Sequence, residues 1–414
     1  MISLSNRKVA AFSIFFVGLT YFFVRPLFTV LKEVYSFGDI NFAIMSLPFL
    51  VVFIFLSLFK VLKHNAIIRF SKEAFYYFIL VSITLMLTIL VQISSFGFLI
   101  DAKIVTFSDF FKVAASSIYG YFAVFFVGLA FYDLLKNNYA NTVLFFAWGG
   151  LTLVLIYAGL TTPGGIFLHG LYSYLTVSDS YAILSLMIIS FVGLNGGQYS
   201  NYIKVLLVLI AAYCLFTLVS RTAFYFFIFS SFFLFLDKPK MLFFGLVIIL
   251  LSVFFVLPIL QEYFWVDSSK WLSYDRMFRV VEKIDSDNSF NERLYYNSIG
   301  LLSIRDNWFL GDFMGEFRLN MEGKYMHNYL SFYRQFGLLP FIFLLLSSIV
   351  LFRGAYLYFI KKSKNKNYER GVAVICLFIL TEAIFSRAYW YTYVFFMLGL
   401  LISYCNHRLS EVHE

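Results

Sequence analysis

Apolar residues run in long blocks along this chain, and polar residues gather in the gaps between them. A helix of about 20 apolar residues is long enough to cross a bilayer. By that measure about twelve blocks predict spans. They lie at roughly 9–30, 40–62, 74–99, 112–134, 141–160, 180–194, 202–219, 222–236, 241–260, 327–352, 371–386 and 388–405. The sixth and eighth are short. Arg25-Pro26 predicts a break or kink in the first, because proline lacks the N–H and its ring clashes with the preceding turn.

One polar interruption is long. It divides the chain into 1–260, carrying nine spans, a loop over 261–326, and 327–414, carrying three spans and a short tail. Two amphipathic patterns lie inside the loop. In 272–284, Tyr274, Met277, Phe278, Val281 and Ile284 recur at helical spacing, opposite Arg276, Arg279 and Lys283. In 292–304, Leu294, Tyr295, Ser298, Ile299 and Leu302 form one face, and Arg293, Asn297, Gly300 and Ile304 another. Such helices are expected to lie on the outer membrane surface over the mouth of a bundle. The expected fold class is therefore all-α: a polytopic membrane protein whose one long outer loop contains short amphipathic helices.

Charge orients the bundle. With the N-terminus inside, the cytoplasmic connections receive Lys60, Lys63, Arg69, Lys72, Lys136, Lys204, Lys238, Lys240, Arg353, Lys361, Lys362, Lys364, Lys366 and Arg370. The short opposite connections receive only Arg25, Lys32, Lys103, Lys112, Arg221 and Arg387. The positive-inside rule then places both termini in the cytoplasm and the long loop outside. The net charge of +9 needs no nucleic acid to explain it. Charged residues make up 13% of the chain, against about 25% in a soluble domain, which agrees with the spans. The first apolar run has no small-residue cleavage site and reads as an anchor. Cys214, Cys376 and Cys405 lie in or at the end of apolar runs, so no disulfide framework is legible.

Several chemistries lack their residues. No Gly-rich phosphate loop points to ATP, and no His/Cys cluster has metal-ligand spacing. Asp285-Ser286-Asp287-Asn288-Ser289 lacks the glycine and distal glutamate of a calcium loop and reads as a solvated turn. No metal and no cofactor is expected.

What remains is a histidine and a set of arginines at the outer face. His327 sits in Met326-His327-Asn328-Tyr329-Leu330, where the polar loop meets a hydrophobic helix. Histidine is the side chain most readily set to take a proton near neutral pH. Its bland reading is a helix start, with Asn328 as the N-cap. Arg334 lies seven residues on and would share its face, about 10 Å further along the axis. Glu382, or otherwise a bound phosphate, is its expected partner. Arg221 in Ser220-Arg221-Thr222 is either an interfacial anchor or a clamp for a lipid-linked phosphate, which its planar donors suit. Arg293 divides the same way between a solvated face and a clamp. Arg305 is placed to pair locally with Asp306, and Arg387 reads chiefly as an interfacial anchor.

Taken together, these pieces resemble the O-antigen ligase and polymerase family. The resemblance rests on Ser220-Arg221-Thr222 after a hydrophobic helix, Asn291-Glu292-Arg293 and Ile304-Arg305-Asp306-Asn307-Trp308-Phe309-Leu310-Gly311 in the outer loop, and His327-Asn328-Tyr329-Leu330 followed by Gly337-Leu338-Leu339. It covers roughly 205–355, and the first 200 residues add no motif. The resemblance implies a GT-C-like membrane transferase acting outside the inner membrane on a glycan carried by undecaprenyl diphosphate, without metal or nucleotide sugar. It implies that Arg221 and Arg293 hold the pyrophosphate and that His327 activates the acceptor hydroxyl. Arg305, Asn328, Arg334 and Arg387 form a possible secondary site.

The glycine at 337 and Pro340 after it depart from the ligase spacing and favour a polymerase of lipid-linked repeat units. The alternatives are a ligase delivering polymer to lipid A-core and, from another class, a transporter or flippase. A transporter is expected to place charges at the midplane of paired broken helices. The expected partners are undecaprenyl-diphosphate-linked oligosaccharides, membrane lipid, a chain-length regulator and a flippase, with no nucleic acid.

Overall fold

The computed structural model describes residues 2–35, 42–61, 72–101, 106–135, 138–161, 173–191, 201–235, 240, 247, 288–315, 326–360, 366–387 and 391–413. Among them no strand occurs; the regular structure is helical. The expected span at 241–260 and the amphipathic pattern at 272–284 lie outside the described residues, apart from isolated position 247.

The helices are α1 (Ile2–Leu19), α2 (Arg25–Tyr35), α3 (Phe42–Val61), α4 (Lys72–Asp101), α5 (Phe107–Leu135), α6 (Asn138–Thr161), α7 (Ser173–Phe191), α8 (Asn201–Thr217) and α9 (Arg221–Phe232). After the loop come α10 (Asn288–Asp306), α11 (Leu330–Phe336), α12 (Leu338–Ile360), α13 (Lys366–Phe385) and α14 (Tyr393–His413). Among the described residues three stretches are long and apolar enough to cross a membrane: Val9–Lys32, Lys72–Asp101 and Tyr139–Thr161. Shorter apolar helices, such as Ser117–Tyr132, Leu175–Phe191 and Leu338–Gly354, accompany them.

Pro26 does not end the first span. The backbone widens to a π turn over Thr20–Val24 and α2 continues from Arg25. A π turn re-registers the hydrogen bonds just before a residue that cannot donate one, so the chain bends rather than stops.

Close helix contact builds the core. α5 and α14 cross backbone to backbone at Gly128 and Gly399. A Cβ on Gly128 would stand 2.3 Å from the Phe396 carbonyl oxygen, and one on Gly399 2.2 Å from that of Phe125. Small residues permit this approach, which dispersion and weak polar contacts then reward in an apolar solvent. α7 packs on α13, and α13 on α9, so the C-terminal end of α13 meets the start of α9 and the interior of α7. α4 buries Thr84, Thr88 and Gln92 on one stripe, and its Thr84 hydroxyl lies 3.4 Å from that of Ser347 on α12.

Candidate functional site

The site begins with a strained turn. Val219 adopts φ +55, which a β-branched residue rarely does and which costs about 1–3 kcal/mol. Its N–H donates to the Phe216 carbonyl at 3.0 Å. This reversal turns the chain from α8 into α9, whose first two residues are Arg221 and Thr222. Ser220 stands before them, buried, and its carbonyl accepts the first helical bond, from Phe224.

A second joint fixes the outer loop. The expected continuous helix over 327–352 is broken: α11 ends at Phe336, Gly337 adopts φ +75 and ψ −173, and α12 starts at Leu338. The segment after α10 docks onto this break. Leu338 N–H donates to the Phe309 carbonyl at 3.1 Å, and Asp312 N–H to the Arg334 carbonyl at 2.6 Å. Gly311, at φ +79, faces Gly337 so closely that a Cβ would stand 2.4 Å from the Gly337 nitrogen. On α10, Gly300 turns inward against Met326, while Leu294, Tyr295, Leu301 and Leu302 are exposed. These four apolar side chains thus point away from the Gly300 contact. That suits a helix lying against lipid.

His327 therefore precedes α11 rather than belonging to it. It does not share a helical face with Arg334, which corrects the seven-residue argument. Its ring donates to the main-chain carbonyl of Ser386, at the end of α13. That carbonyl belongs to the last turn, where helix acceptors lack intrahelical partners. The bond fixes one ring proton and leaves the basic lone pair on the other nitrogen of the neutral ring. Burial, then the Arg293 guanidinium, lower the His327 pKa from 6.5 to about 4. The Ser386 bond opposes that shift, and Arg387 adds to it. Asn328 uses its side chain locally: Oδ1 accepts from Leu330 N–H at 3.0 Å, and Nδ2 donates to Asn297 Oδ1 at 3.4 Å. The N-cap position is Tyr329. Asn328 thus supports the helix start from one residue further out and ties it to α10.

Arg387 is not an interfacial anchor. It is buried, and it pairs with Asp179 of α7 and Glu382 of α13. Nε and Nη2 donate to the two Asp179 oxygens at 2.7 and 2.6 Å, and Nη2 also lies 3.3 Å from Glu382 Oε2. Nη1 donates to Thr222 Oγ1 at 3.1 Å and to Ser386 Oγ at 3.0 Å. Ser386 Oγ in turn donates to Glu382. A guanidinium has five N–H donors, and acceptors surround all three nitrogens here. Arg387 is thus a structural node that ties α7, the start of α9 and the end of α13 together. Glu382, expected beside Arg334, pairs with Arg387 instead.

The node joins the expected site residues. Thr222 follows Arg221, Ser386 holds His327, and Arg293 lies within electrostatic reach of both His327 and Glu382. Arg293 and Arg221 are each half-buried. Arg334 is buried in α11. Arg305 stands apart, exposed, with Nε 3.0 Å from Asp306 Oδ1. Asp179 is the residue that sequence reasoning missed. The available signal was an acid at the edge of an apolar run, which needs a buried cation. No group of three or more His, Cys, Asp or Glu that could hold a metal ion occurs among the described residues.

A cavity of about 20 Å³ is lined by Asn328, Ser331, Phe332, Arg387, Tyr391 and Phe395 among others. Compared with known proteins, the chain matches no protein-family profile, no curated protein and no solved structure.

Proposed function

We propose that the chain is a polytopic glycosyltransferase of the bacterial inner membrane that joins undecaprenyl-diphosphate-linked repeat units of a surface polysaccharide at the periplasmic face. The reading takes the apolar blocks as about twelve spans in a GT-C-like bundle. Both termini are cytoplasmic and the loop over 261–326 is periplasmic. The observation that carries it is the setting of His327: bonded to the Ser386 carbonyl, held neutral, and within electrostatic reach of Arg293.

That arrangement suits displacement at an anomeric carbon. The acceptor hydroxyl oxygen attacks C1 of the donor's reducing-end sugar, and the bond from C1 to the diphosphate oxygen breaks. The electron pair leaves with the diphosphate, and the hydroxyl proton passes to the basic nitrogen of His327. Arg293 and Arg221 stabilise the charge growing on the diphosphate, and arginine does this bidentately. Arg387 already has acceptors on every nitrogen, so its part is to hold the ends of α9 and α13 in place. The gathering of these charges at one end of α9, α10 and α13 favours an enzyme over a transporter, which needs midplane sites.

The test uses purified protein and lipid-linked repeat units extracted from cells that make them but lack this chain. The expected product is a ladder of extended lipid-linked chains. His327→Asn is expected to slow extension by about 10²–10⁴-fold, the usual worth of general-base assistance. Arg221→Ala and Arg293→Ala are expected to abolish extension in protein that still inserts. Transfer to lipid A-core with no extended repeats would make the chain a ligase. Asn at 327 with wild-type rates would make the histidine a structural residue.

A further inference from the structure

The cavity at Asn328 and Arg387 has a use in this reaction. Asn328, the residue after His327, and Arg387, the residue after Ser386, both line it. They are the chain neighbours of the two residues joined by the histidine's hydrogen bond. Its volume of about 20 Å³ holds one oxygen-sized group, since a single water needs about 10–15 Å³. Phe332 and Phe395 give it apolar walls.

Three residues of its lining carry hydroxyls, Tyr329, Ser331 and Tyr391, and that of Tyr329 has Ser348 beside it. Ser331 is 1% exposed and Tyr391 8%, and neither hydroxyl has a hydrogen-bond partner in the protein. Buried hydroxyls are normally paired, and an unpaired one in an apolar bundle lowers stability. Arg387 cannot serve them, because its donors are directed at Asp179, Glu382, Thr222 and Ser386. A guest that both donates and accepts one hydrogen bond would satisfy both groups. A sugar hydroxyl is such a guest.

We propose that this cavity receives the hydroxyl vicinal to the attacking one on the acceptor sugar, so that Ser331 and Tyr391 set which oxygen faces His327. The proposal rests on the transferase reading. It restricts the acceptor to a sugar with a free hydroxyl beside the linkage position, and it makes the cavity a determinant of linkage. In the step itself the vicinal hydroxyl keeps its proton. The attacking hydroxyl alone loses one, to His327, as the C1–diphosphate bond breaks.

The experiment separates acceptor from donor. The free repeat-unit oligosaccharide, released from its lipid by mild acid, is titrated as acceptor against saturating lipid-linked donor, using the full chain in detergent. Ser331→Ala and Tyr391→Phe each remove one hydroxyl, and Ser331→Val fills the cavity with methyl groups. Each deletion is expected to raise the acceptor KM about tenfold while the donor KM stays within about twofold, and Val is expected to raise the acceptor KM further. Unchanged acceptor KM in the three variants overturns the subsite, and extension by the wild type then leaves the transferase reading standing. A fall in kcat with both KM values unmoved also overturns it, as that is what a purely structural role gives. If the wild type neither extends nor hydrolyses the donor, the transferase reading fails and takes this proposal with it.

Discussion

Arg387 holds both carboxylate oxygens of Asp179, Nη2 at 2.6 Å and Nε at 2.7 Å, across 208 residues of chain. Glu382 adds a second acid at 3.3 Å. One cation therefore faces two carboxylates inside a bundle, where solvation by water is replaced by fixed partners. Removing one member of a buried pair leaves its partner uncompensated, which is dearer than the pair itself.

The order of damage follows from that imbalance. Arg387→Met strands two acids and is expected to cost about 3–5 kcal/mol. Asp179→Asn keeps the shape and leaves Glu382 to balance the arginine, so its cost is expected to be smaller. Thermal melting of the detergent-solubilised variants checks the ranking. A melting temperature for Arg387→Met at or above the wild type's would show that the node is dispensable.

The sequence made part of this legible and hid the rest for physical reasons. Spans are a property of local composition, so the apolar blocks predict helices such as α4 and α6 within a few residues. The helix α10 was legible from its period, with Arg293, Asn297, Gly300 and Ile304 forming one face. The break at Gly337 was not, because the apolar residues on either side of Arg334-Gln335 read as one span. Its cause is the docking of Phe309 and Gly311 from another segment. The role of Arg387 was hidden for the same reason. Position alone suggests an anchor, and only the fold brings Asp179 to it. The pairing of Glu382 with Arg387 rather than Arg334 was hidden as well, since sequence distance cannot choose between two buried arginines.

The contact of Gly311 with Gly337 has its own test. Both have left-handed φ, and a Cβ at 337 would stand 2.2 Å from the Phe309 carbonyl oxygen. Gly337→Ala is expected to push the 307–314 segment off the joint, at about 1–3 kcal/mol for the backbone strain alone. Limited proteolysis in detergent should then cut this segment, which the wild type protects. Equal protection in both proteins would show that the joint absorbs the methyl group.

Topology is checked at Ser286, in the polar stretch Asp285-Ser286-Asp287-Asn288-Ser289. The native cysteines Cys214, Cys376 and Cys405 are all buried, so their background labelling is low. Ser286→Cys is expected to react with a membrane-impermeant thiol reagent in intact spheroplasts. Labelling only after lysis would put the loop in the cytoplasm and remove the site from the periplasmic face.

The pH dependence tests the environment of His327 most directly. An unperturbed histidine would give an acid limb near ~6.5. Burial and Arg293 instead hold the ring at about 4. At limiting donor, where the rate reports the free enzyme, activity is expected to stay flat as pH falls through 6 and 5 and to drop only near 4. Saturating donor should shift the limb upward, because diphosphate charge offsets Arg293 and favours the imidazolium. Stability carries the same sign. Between about 4 and 6.5 the unfolded chain binds a proton at this histidine that the folded chain refuses, so stability falls as pH falls across that window. Arg293→Ala removes the second cause of the shift, leaves burial, and is expected to narrow the window from its acid side. Melting curves from pH 7 to 4 for wild type, Arg293→Ala and His327→Asn measure this. A slope no smaller in His327→Asn than in the wild type would show that another group titrates, and that His327 does not meet Arg293 in a buried site.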